Sequence, residues 1–269
     1  MKYCRLLTRH GAQYAEVVDR DERLWVERLI PPFEEGPASD FIDPAINPFE
    51  PLPLDEAQIL TPVAPSKIVC VGRNYREHAA ELGNEVPAEP LLFLKPPSAI
   101  LSPGEAIQIP ALSKRVDFEG EIAIIIGDRC SKIGTDEDPR DYIRGYTIAN
   151  DVTARDLQKK DGQWSRAKGF DTFCPVGPLV TDEVDPAMGI GITTHLNGEL
   201  RQDGNTRDLI FSIDYLLRYI TAAMTLFPGD LILTGTPAGV APMQPGDRVA
   251  ITVEGIGTLT NPVVGPMGG

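Results

Sequence analysis

The sequence predicts an α+β fold that is mostly β, and two observations carry this prediction. Short runs of apolar, often β-branched residues recur along the 269 residues, and glycine and proline separate them. One segment, from residue 206 to residue 226, instead repeats its apolar residues at the spacing of a helix that faces a core. These apolar positions are Leu209, Ile210, Ile213, Leu216, Leu217, Ile220 and Met224.

The chain divides into two predicted parts. Residues 1–60 are expected to form a small N-terminal β unit followed by a proline-rich connector, because nine prolines fall between Pro31 and Pro65 and disfavour regular structure. Residues 66–264 are expected to form the main domain. Its first elements are predicted as a strand near residue 70 and a short helix over 74–82.

Composition restricts the partners of the chain. The formal net charge of −14 disfavours nucleic acid and anionic membranes as partners. No apolar run reaches the ~18 residues of a membrane span, and we expect a cytoplasmic protein. The cysteines are far apart in sequence and suit reduced, buried thiols. They are Cys4, Cys70, Cys130 and Cys174.

Two glutamates point to chemistry in the main domain. Glu119 and Glu121 lie two residues apart and precede the run Ile122 to Ile126, which is typical of a buried strand. Strand side chains alternate, so both carboxylates face the same side. Buried carboxylates need a cation against them, and a divalent metal satisfies two at once. The alternative is a pair of surface glutamates on an edge strand, or glutamates that pair with Arg and Lys.

A third acid favours the metal. A second apolar stretch begins at Tyr146 and ends in Asp151, just before a segment that reads as the first turns of a helix. Three carboxylates without cysteine or a histidine cluster suit a hard cation, Mg²⁺ first and Mn²⁺ second. Zinc is disfavoured because none of the three histidines lies at ligand spacing from another.

Three further segments carry candidate chemistry. His78 and Glu81 are neighbours at i, i+3 on a helix, where the carboxylate can orient an imidazole that removes a proton from water. An ordinary surface histidine is the alternative. Lys168 lies between small and aromatic residues, and with Arg155 and the metal it could attract an anionic substrate. The segment 233–239 follows a strand and could hold a carboxylate through backbone N–H groups and a threonine hydroxyl, although the segment taken alone favours a tight turn.

These segments, in this order, resemble the fumarylacetoacetate hydrolase family. The resemblance covers roughly residues 66–264. The matching motifs are VCVGRNY at 69–75, FLKP at 93–96, DFEGE at 117–121, NDVTARD at 150–156, KGF at 168–170 and PGDLILTGTPAG at 228–239. The resemblance implies a mixed β-roll of twisted sheets around a metal-containing cavity, and a homodimer.

The resemblance also implies roles for ten residues. Glu119, Glu121 and Asp151 would bind Mg²⁺ or Mn²⁺. The catalytic residues would be His78, Glu81 and Lys168, with Lys168 stabilising charge on the substrate oxygen. The substrate-binding residues would be Arg155, Gln158, Gly235 and Thr236. Eukaryotic fumarylacetoacetase has a further aspartate ligand seven residues before its histidine, whereas this chain has Val71 there, so the acylpyruvase and fumarylpyruvate hydrolase branch fits better.

The implied activity is hydrolysis of a C–C bond in a small anionic 1,3-diketo acid, such as an acylpyruvate or fumarylpyruvate, through a metal-stabilised enolate. The same site would suit an oxaloacetate decarboxylase or a 2-hydroxyhepta-2,4-diene-1,7-dioate isomerase or decarboxylase, since both need the enolate but no attacking water. A metal-stabilised scaffold without activity is a third hypothesis. The set of His78, Glu81 and Lys168 argues against it, because a structural metal site needs no base.

Overall fold

The predicted mostly β fold is confirmed. The structure is a computed structural model that describes residues 1–33, 49–81, 83 and 85–266. Among the described residues, strands and bridges make up 42% and helices, short 3-10 helices included, make up 18%, and the sheets are twisted and mixed. The strands are β1 Lys2–Thr8, β2 Gly11–Arg20, β3 Arg23–Ile30, β4 Leu52–Pro53, β5 Ile59–Leu60, β6 Ile68–Gly72, β7 Leu91–Lys95, β8 Ile100–Leu101, β9 Ile107–Gln108, β10 Val116–Asp117, β11 Gly120–Ile126, β12 Ile143–Asn150, β13 Thr153–Ala154, β14 Cys174–Thr181, β15 Gly191–Leu196, β16 Glu199–Asn205, β17 Leu231–Leu233, β18 Arg248–Val253 and β19 Gly257–Val264. The α-helices are α1 Arg76–Glu81, α2 Arg155–Asp161, α3 Ser165–Lys168 and α4 Ile213–Ala223.

Most strands belong to one large sheet and one smaller sheet. The large sheet has the order β4-β3-β2-β1-β14-β12-β11-β17-β6-β7, with β5 added to β1 and β8 to β14. The smaller sheet has the order β16-β15-β18-β19-β9, and β10 pairs with β13 alone. Within the large sheet β17 and β6 are parallel, whereas β11 is antiparallel to both β12 and β17.

Strand β11 lies at the centre of the large sheet, and its sequence explains that position. All seven of its residues are buried, and four of them are isoleucine. Such an uninterrupted apolar run fits a strand that is covered on both faces, whereas a strand with one wet face alternates. The apolar run that predicted this strand therefore also placed it in the core.

The N-terminal strands extend the large sheet. Strands β1, β2 and β3 form a meander, and β1 pairs with β14 through Lys2 and Tyr3. The predicted proline-rich connector lies partly outside the described residues, which omit 34–48. Its described part forms the short strands β4 and β5, against β3 and β1. The division into residues 1–60 and 66–264 stays a prediction.

The long helix is shorter than its periodicity predicts. Helix α4 begins after Ser212, whose side chain caps it by accepting a hydrogen bond from the Tyr215 N–H at 3.3 Å. The preceding Ile210 lies outside the helix, because its N–H donates to the Asn74 carbonyl oxygen at 2.8 Å. Met224 has extended backbone dihedrals and ends the helix. The prediction over 206–226 was therefore wrong at both ends, since tertiary hydrogen bonds outweighed local periodicity.

Asn74 fixes the start of helix α1. Its side chain is fully buried and donates to the Thr234 carbonyl oxygen at 2.8 Å, just beyond β17. It also exchanges hydrogen bonds with the backbone of Phe211. A buried amide with its partners satisfied holds its segment firmly, because leaving those partners unsatisfied costs about 1–3 kcal/mol each. Helix α1 is thereby held beside the strand ends that carry the candidate site.

The four cysteines are free and buried, as expected from their spacing. Burial raises the pKa of Cys4 and of Cys174 to about 12, so both thiols are protonated at neutral pH.

In the described part of the chain, no helix is both long and apolar enough to cross a membrane.

Candidate metal and substrate site

One cavity of about 400 Å³ gathers the residues that the sequence singled out. Eight of the ten predicted site residues line it, while Glu81 and Gly235 contact lining residues from behind. The lining residues are Val71, Gly72, Arg73, His78, Phe93, Glu119, Glu121, Asp151, Arg155, Gln158, Lys159, Trp164, Lys168 and Thr236. The proximity of these residues is a finding, whereas their roles in binding and catalysis stay predictions.

Strand pairing brings the three acids together. Glu119 comes directly before β11, Glu121 is its second residue, and Asp151 follows β12. Because β11 and β12 are antiparallel and Gly120 pairs with Asn150, the end of one strand meets the start of the other. The Asp151 N–H donates to the Glu119 carbonyl oxygen at 2.9 Å. One carboxylate oxygen from each acid lies within 4.8 Å of the others, and all three residues are buried.

Basic side chains compensate two of the three acids. Lys168 donates to Glu119 at 2.8 Å and to Asp151 at 2.6 Å. Lys95 donates to the other Asp151 oxygen at 2.6 Å, and Arg155 pairs with Glu119. Burial alone would raise the pKa of Glu119, but Lys168 and Arg155 outweigh it and hold that pKa well below its ordinary value. Glu119 is therefore ionised in the folded protein.

Glu121 is the exception. Its hydrogen-bond donor is the Gly235 N–H at 2.6 Å, and among the described residues no basic side chain pairs with it. Burial, reinforced by the charges of Asp151 and Glu119, raises the pKa of Glu121 well above its ordinary value. A buried carboxylate in this position requires a proton or a cation. Three oxygen donors converging on one point fit a hard divalent cation such as Mg²⁺ or Mn²⁺.

Two buried charges were not assigned roles from the sequence. Lys95 is 1% exposed and binds Asp151 and the Val152 carbonyl oxygen. Asp117 is fully buried between Arg115 and Arg155, both at 2.9 Å. A charged residue at the end of an apolar strand is the signal that could have identified Lys95, since lysine is rarely buried without a partner.

Lys168 is a buried cation held by two carboxylates. It comes from helix α3 and is 2% exposed, with its Nζ 4.9 Å from the centroid of the Phe93 ring. Burial alone would lower the pKa of Lys168, but Asp151 and Glu119 outweigh it and raise that pKa. The ammonium group therefore stays protonated, and it orients two carboxylates of the triad.

His78 and Glu81 make the predicted contact. His78 Nδ1 lies 3.3 Å from one Glu81 carboxylate oxygen, and the other oxygen accepts from the Gly239 N–H at 3.0 Å. Burial lowers the pKa of His78, and Glu119 and Glu81 only partly oppose that effect. The imidazole is therefore neutral at pH 7, with Nδ1 directed to Glu81 and Nε2 left as the basic nitrogen.

The donors predicted to hold substrate carboxylates are directed at the protein itself. The Gly235 N–H binds Glu121, and the Thr236 hydroxyl donates to the Gly120 carbonyl oxygen at 2.8 Å. Arg155 binds Asp117, Glu119 and the side-chain oxygen of Gln158. In the described residues, the Gln158 amide nitrogen has no protein acceptor, so it remains available to a ligand.

The sequence analysis also did not identify two basic side chains of the cavity wall. Arg73 and Lys159 line the cavity, and neither has an ion-pair partner within the described ranges. Arg73 holds a left-handed backbone conformation with φ of 57°. Sequence reasoning had no signal for them, because solvated basic side chains are common and these two come from different elements.

The fold and the site define a class of protein in which mixed sheets hold a buried carboxylate triad beside a cavity. Comparison with known sequences gives the family. The model for the fumarylacetoacetate (FAA) hydrolase C-terminal domain matches residues 67–264, and the chain belongs to this family.

Relatives and solved structures agree with this assignment. Protein Rv2993c of Mycobacterium tuberculosis is 54% identical over 79% of this chain and 80% of its own length. The oxaloacetate tautomerase YisK of Bacillus subtilis is 40% identical over 77% and 74%. The mitochondrial oxaloacetate decarboxylase of Dictyostelium discoideum is 44% identical over 71% and 90%.

Two solved structures are informative. The 5-carboxymethyl-2-hydroxymuconate delta-isomerase of Mycobacterium smegmatis is 42% identical, with a TM-score of 0.85 over 100% of both chains. The fumarylpyruvate hydrolase of Pseudomonas aeruginosa, solved with Mn²⁺ and pyruvate, is 32% identical, with a TM-score of 0.70. That match covers 77% of this chain and 91% of the hydrolase.

The triad makes a direct prediction about metal binding. Glu121→Gln should abolish Mg²⁺ and Mn²⁺ binding in calorimetry, because an amide oxygen brings no negative charge to the cation. The metal-free variant should unfold at the same or a higher urea concentration than the metal-free wild type, since the substitution replaces a buried carboxyl group whose ionised form is disfavoured by burial and by the Asp151 and Glu119 charges.

Asp203→Asn is the matched control for Glu121→Gln, because it removes the same charge from an exposed residue of β16. It should leave the metal affinity unchanged. Wild-type affinity in Glu121→Gln would contradict the assignment of the triad.

Proposed function

We propose that the protein is an Mg²⁺- or Mn²⁺-dependent enzyme that acts on a small dianionic 2-oxo acid, with oxaloacetate as the first candidate. The buried triad carries this proposal, because Glu121 is compensated neither by Lys95 nor by Lys168. A divalent cation bound there would polarise the carbonyl of a 2-oxo acid and stabilise the negative charge that develops on its oxygen.

Charge balance supports a dianionic substrate. Four buried carboxylates face four basic side chains, so the cluster is close to neutral before a divalent cation adds two positive charges. The carboxylates are Asp117, Glu119, Glu121 and Asp151, and the basic residues are Lys95, Arg115, Arg155 and Lys168. Arg73 and Lys159 add positive charge on the cavity wall. A second carboxylate on the substrate would find its partners there.

Two of the relatives favour oxaloacetate chemistry over hydrolysis. The tautomerase and the decarboxylase are 40% and 44% identical to this chain, against 32% for the fumarylpyruvate hydrolase. Tautomerisation and decarboxylation of oxaloacetate both develop an enolate, which is the charge that the site is suited to stabilise. We therefore rank these two reactions above hydrolysis, in contrast to the expectation from the sequence.

The side chains of the cavity have separate tasks in this proposal. Lys168 and Arg155 keep Glu119 ionised and correctly oriented. Neutral His78 is the base, and in tautomerisation it moves a proton between the substrate carbon and oxygen. Glu81 orients the imidazole through Nδ1 and stabilises the imidazolium form while the proton is held.

Hydrolysis of an acylpyruvate or fumarylpyruvate remains the second candidate, and the His78–Glu81 contact is the observation that favours it. A buried, neutral imidazole held by a carboxylate is suited to removing a proton from water. Water would then attack the distal carbonyl, and the C–C bond would break.

The homodimer and the cytoplasmic location also stay predictions.

A substrate panel tests the proposed activity. Oxaloacetate conversion, followed by enol absorbance and by CO₂ release, should stop with EDTA and return with Mg²⁺ or Mn²⁺. His78→Ala should slow tautomerisation about 10²–10⁴-fold, the usual worth of general-base catalysis. Faster turnover of acetylpyruvate or fumarylpyruvate would instead support the hydrolase. No EDTA-sensitive turnover of any 2-oxo acid would contradict an enzymatic role and favour a metal-stabilised scaffold.

The wall cations predict the preference for two carboxylates. Arg73→Gln and Lys159→Gln should each raise the KM for oxaloacetate about three- to tenfold, the effect of a partly solvated charge-assisted contact. The KM for oxaloacetate 4-methyl ester, which lacks the second charge, should not change. Lys160→Gln is the control, because it removes the same charge one residue further along α2. An equal rise in KM for both compounds would contradict a contact with the second carboxylate.

A further inference from the structure

Gln202 is a buried polar residue in a strand whose other residues are exposed or partly exposed. It lies on β16, at the edge of the smaller sheet, and has no exposed surface, whereas the flanking Arg201 and Asp203 are exposed. A buried amide that points into a protein needs partners for both its oxygen and its nitrogen. Gln202 does not line the substrate cavity.

The Gln202 amide joins two segments of the candidate site. Its oxygen accepts from the Gly120 N–H at 3.0 Å, and its nitrogen donates to Thr236 Oγ1 at 2.7 Å and to the Pro237 carbonyl oxygen at 2.8 Å. The Thr236 hydroxyl completes a ring by donating to the Gly120 carbonyl oxygen at 2.8 Å. Both polar backbone groups of Gly120 are therefore held by side chains.

Gly120 is the residue between Glu119 and Glu121, and it is in close contact with the smaller sheet. A Cβ atom at Gly120 would lie 2.4 Å from Thr194 Oγ1 and 3.2 Å from the Gln202 oxygen. Because strand side chains alternate, the two glutamates point to the opposite face, toward the cavity. A shift of Gly120 would therefore move both carboxylates at once.

We propose that Gln202 is a positioning residue for the metal-binding carboxylates. It fixes Gly120 relative to the loop after β17, and the Gly235 N–H of that loop holds Glu121. Gln202 acts through the backbone and contacts neither the carboxylates nor the cavity. This inference rests on the proposed metal site, and it assigns to the smaller sheet a part in setting the spacing of the ligands.

Gln202→Met tests the proposal, because methionine has a similar shape but replaces none of the three hydrogen bonds of the amide. Calorimetric titration with Mn²⁺ should show affinity reduced about tenfold or more, the range found for residues that orient metal ligands. The electron paramagnetic resonance spectrum of bound Mn²⁺ should also change its line shape, which a purely structural role would not cause. Circular dichroism confirms that each variant is folded at the temperature of the titration.

Thr194→Val is the matched control. It removes a buried hydroxyl that packs against the same Gly120 but has no hydrogen-bond partner in the described structure. Its Mn²⁺ affinity and spectrum should match those of the wild type. If Gln202→Met does not fold, Thr236→Val decides the question, since it breaks the same ring at its second member and should weaken Mn²⁺ binding severalfold.

The outcomes separate the two proposals. Wild-type affinity and line shape in Gln202→Met, or in Thr236→Val where that variant decides, would overturn the positioning role while leaving the metal site intact. A wild-type protein that binds no Mn²⁺ would overturn the metal site and the positioning role together. Equal weakening in Thr194→Val would show that general packing around Gly120, rather than the Gln202 amide, sets the affinity, and would also overturn the inference.

Discussion

Compensation of buried charge governs the arrangement of the central elements. The pairing of β11 with β12 places three carboxylates together out of water, where each uncompensated charge costs several kcal/mol. Lys95 comes from β7, Arg155 from α2 and Lys168 from α3, so three elements must pack against the strand ends to supply the opposing charges. Of the three acids, Glu121 alone has no basic partner in the described structure and therefore still requires a cation. The structural network and the proposed chemistry thus arise from the same constraint.

The two sheets contribute differently to the site. Strands of the large sheet position the three acids of the triad and Lys95, and helices α2 and α3 supply Arg155 and Lys168. The smaller sheet contacts the site through Gln202, on the side away from the cavity. The end of the cavity that contains Glu119, Glu121 and Asp151 is densely hydrogen-bonded, which fits chemistry common to several 2-oxo acids. Arg73 and Lys159 on the wall have no ion-pair partner among the described residues, and under the proposed function differences there would determine which substrate is preferred. This division agrees with relatives that carry tautomerase, decarboxylase, isomerase and hydrolase names on one fold.

Local patterns predicted the features that depend on neighbouring residues. The apolar run of β11 predicted the central strand. Side-chain alternation in that strand, together with the end of the next apolar stretch, predicted the grouping of Glu119, Glu121 and Asp151.

Features that depend on distant partners were not predictable. The length of α4 is set partly by a hydrogen bond to Asn74, and Lys95 meets Asp151 from another strand. The hydroxyl of Thr236 and the N–H of Gly235 were expected to bind substrate, but residues far along the chain already engage them. Similarly, the sequence around Gln202 does not mark it as a positioning residue, because the alternation in β16 fits any half-buried strand.

Anomalous scattering from crystals grown with Mn²⁺ tests the central claim most directly. We expect one strong anomalous peak in the cavity, within coordination distance of a carboxylate oxygen from each of Glu119, Glu121 and Asp151. The Nζ of Lys168 should remain hydrogen-bonded to the outer carboxylate oxygens, because it compensates charge without binding the metal. The absence of a peak at saturating Mn²⁺, or a peak only at surface carboxylates, would contradict the account.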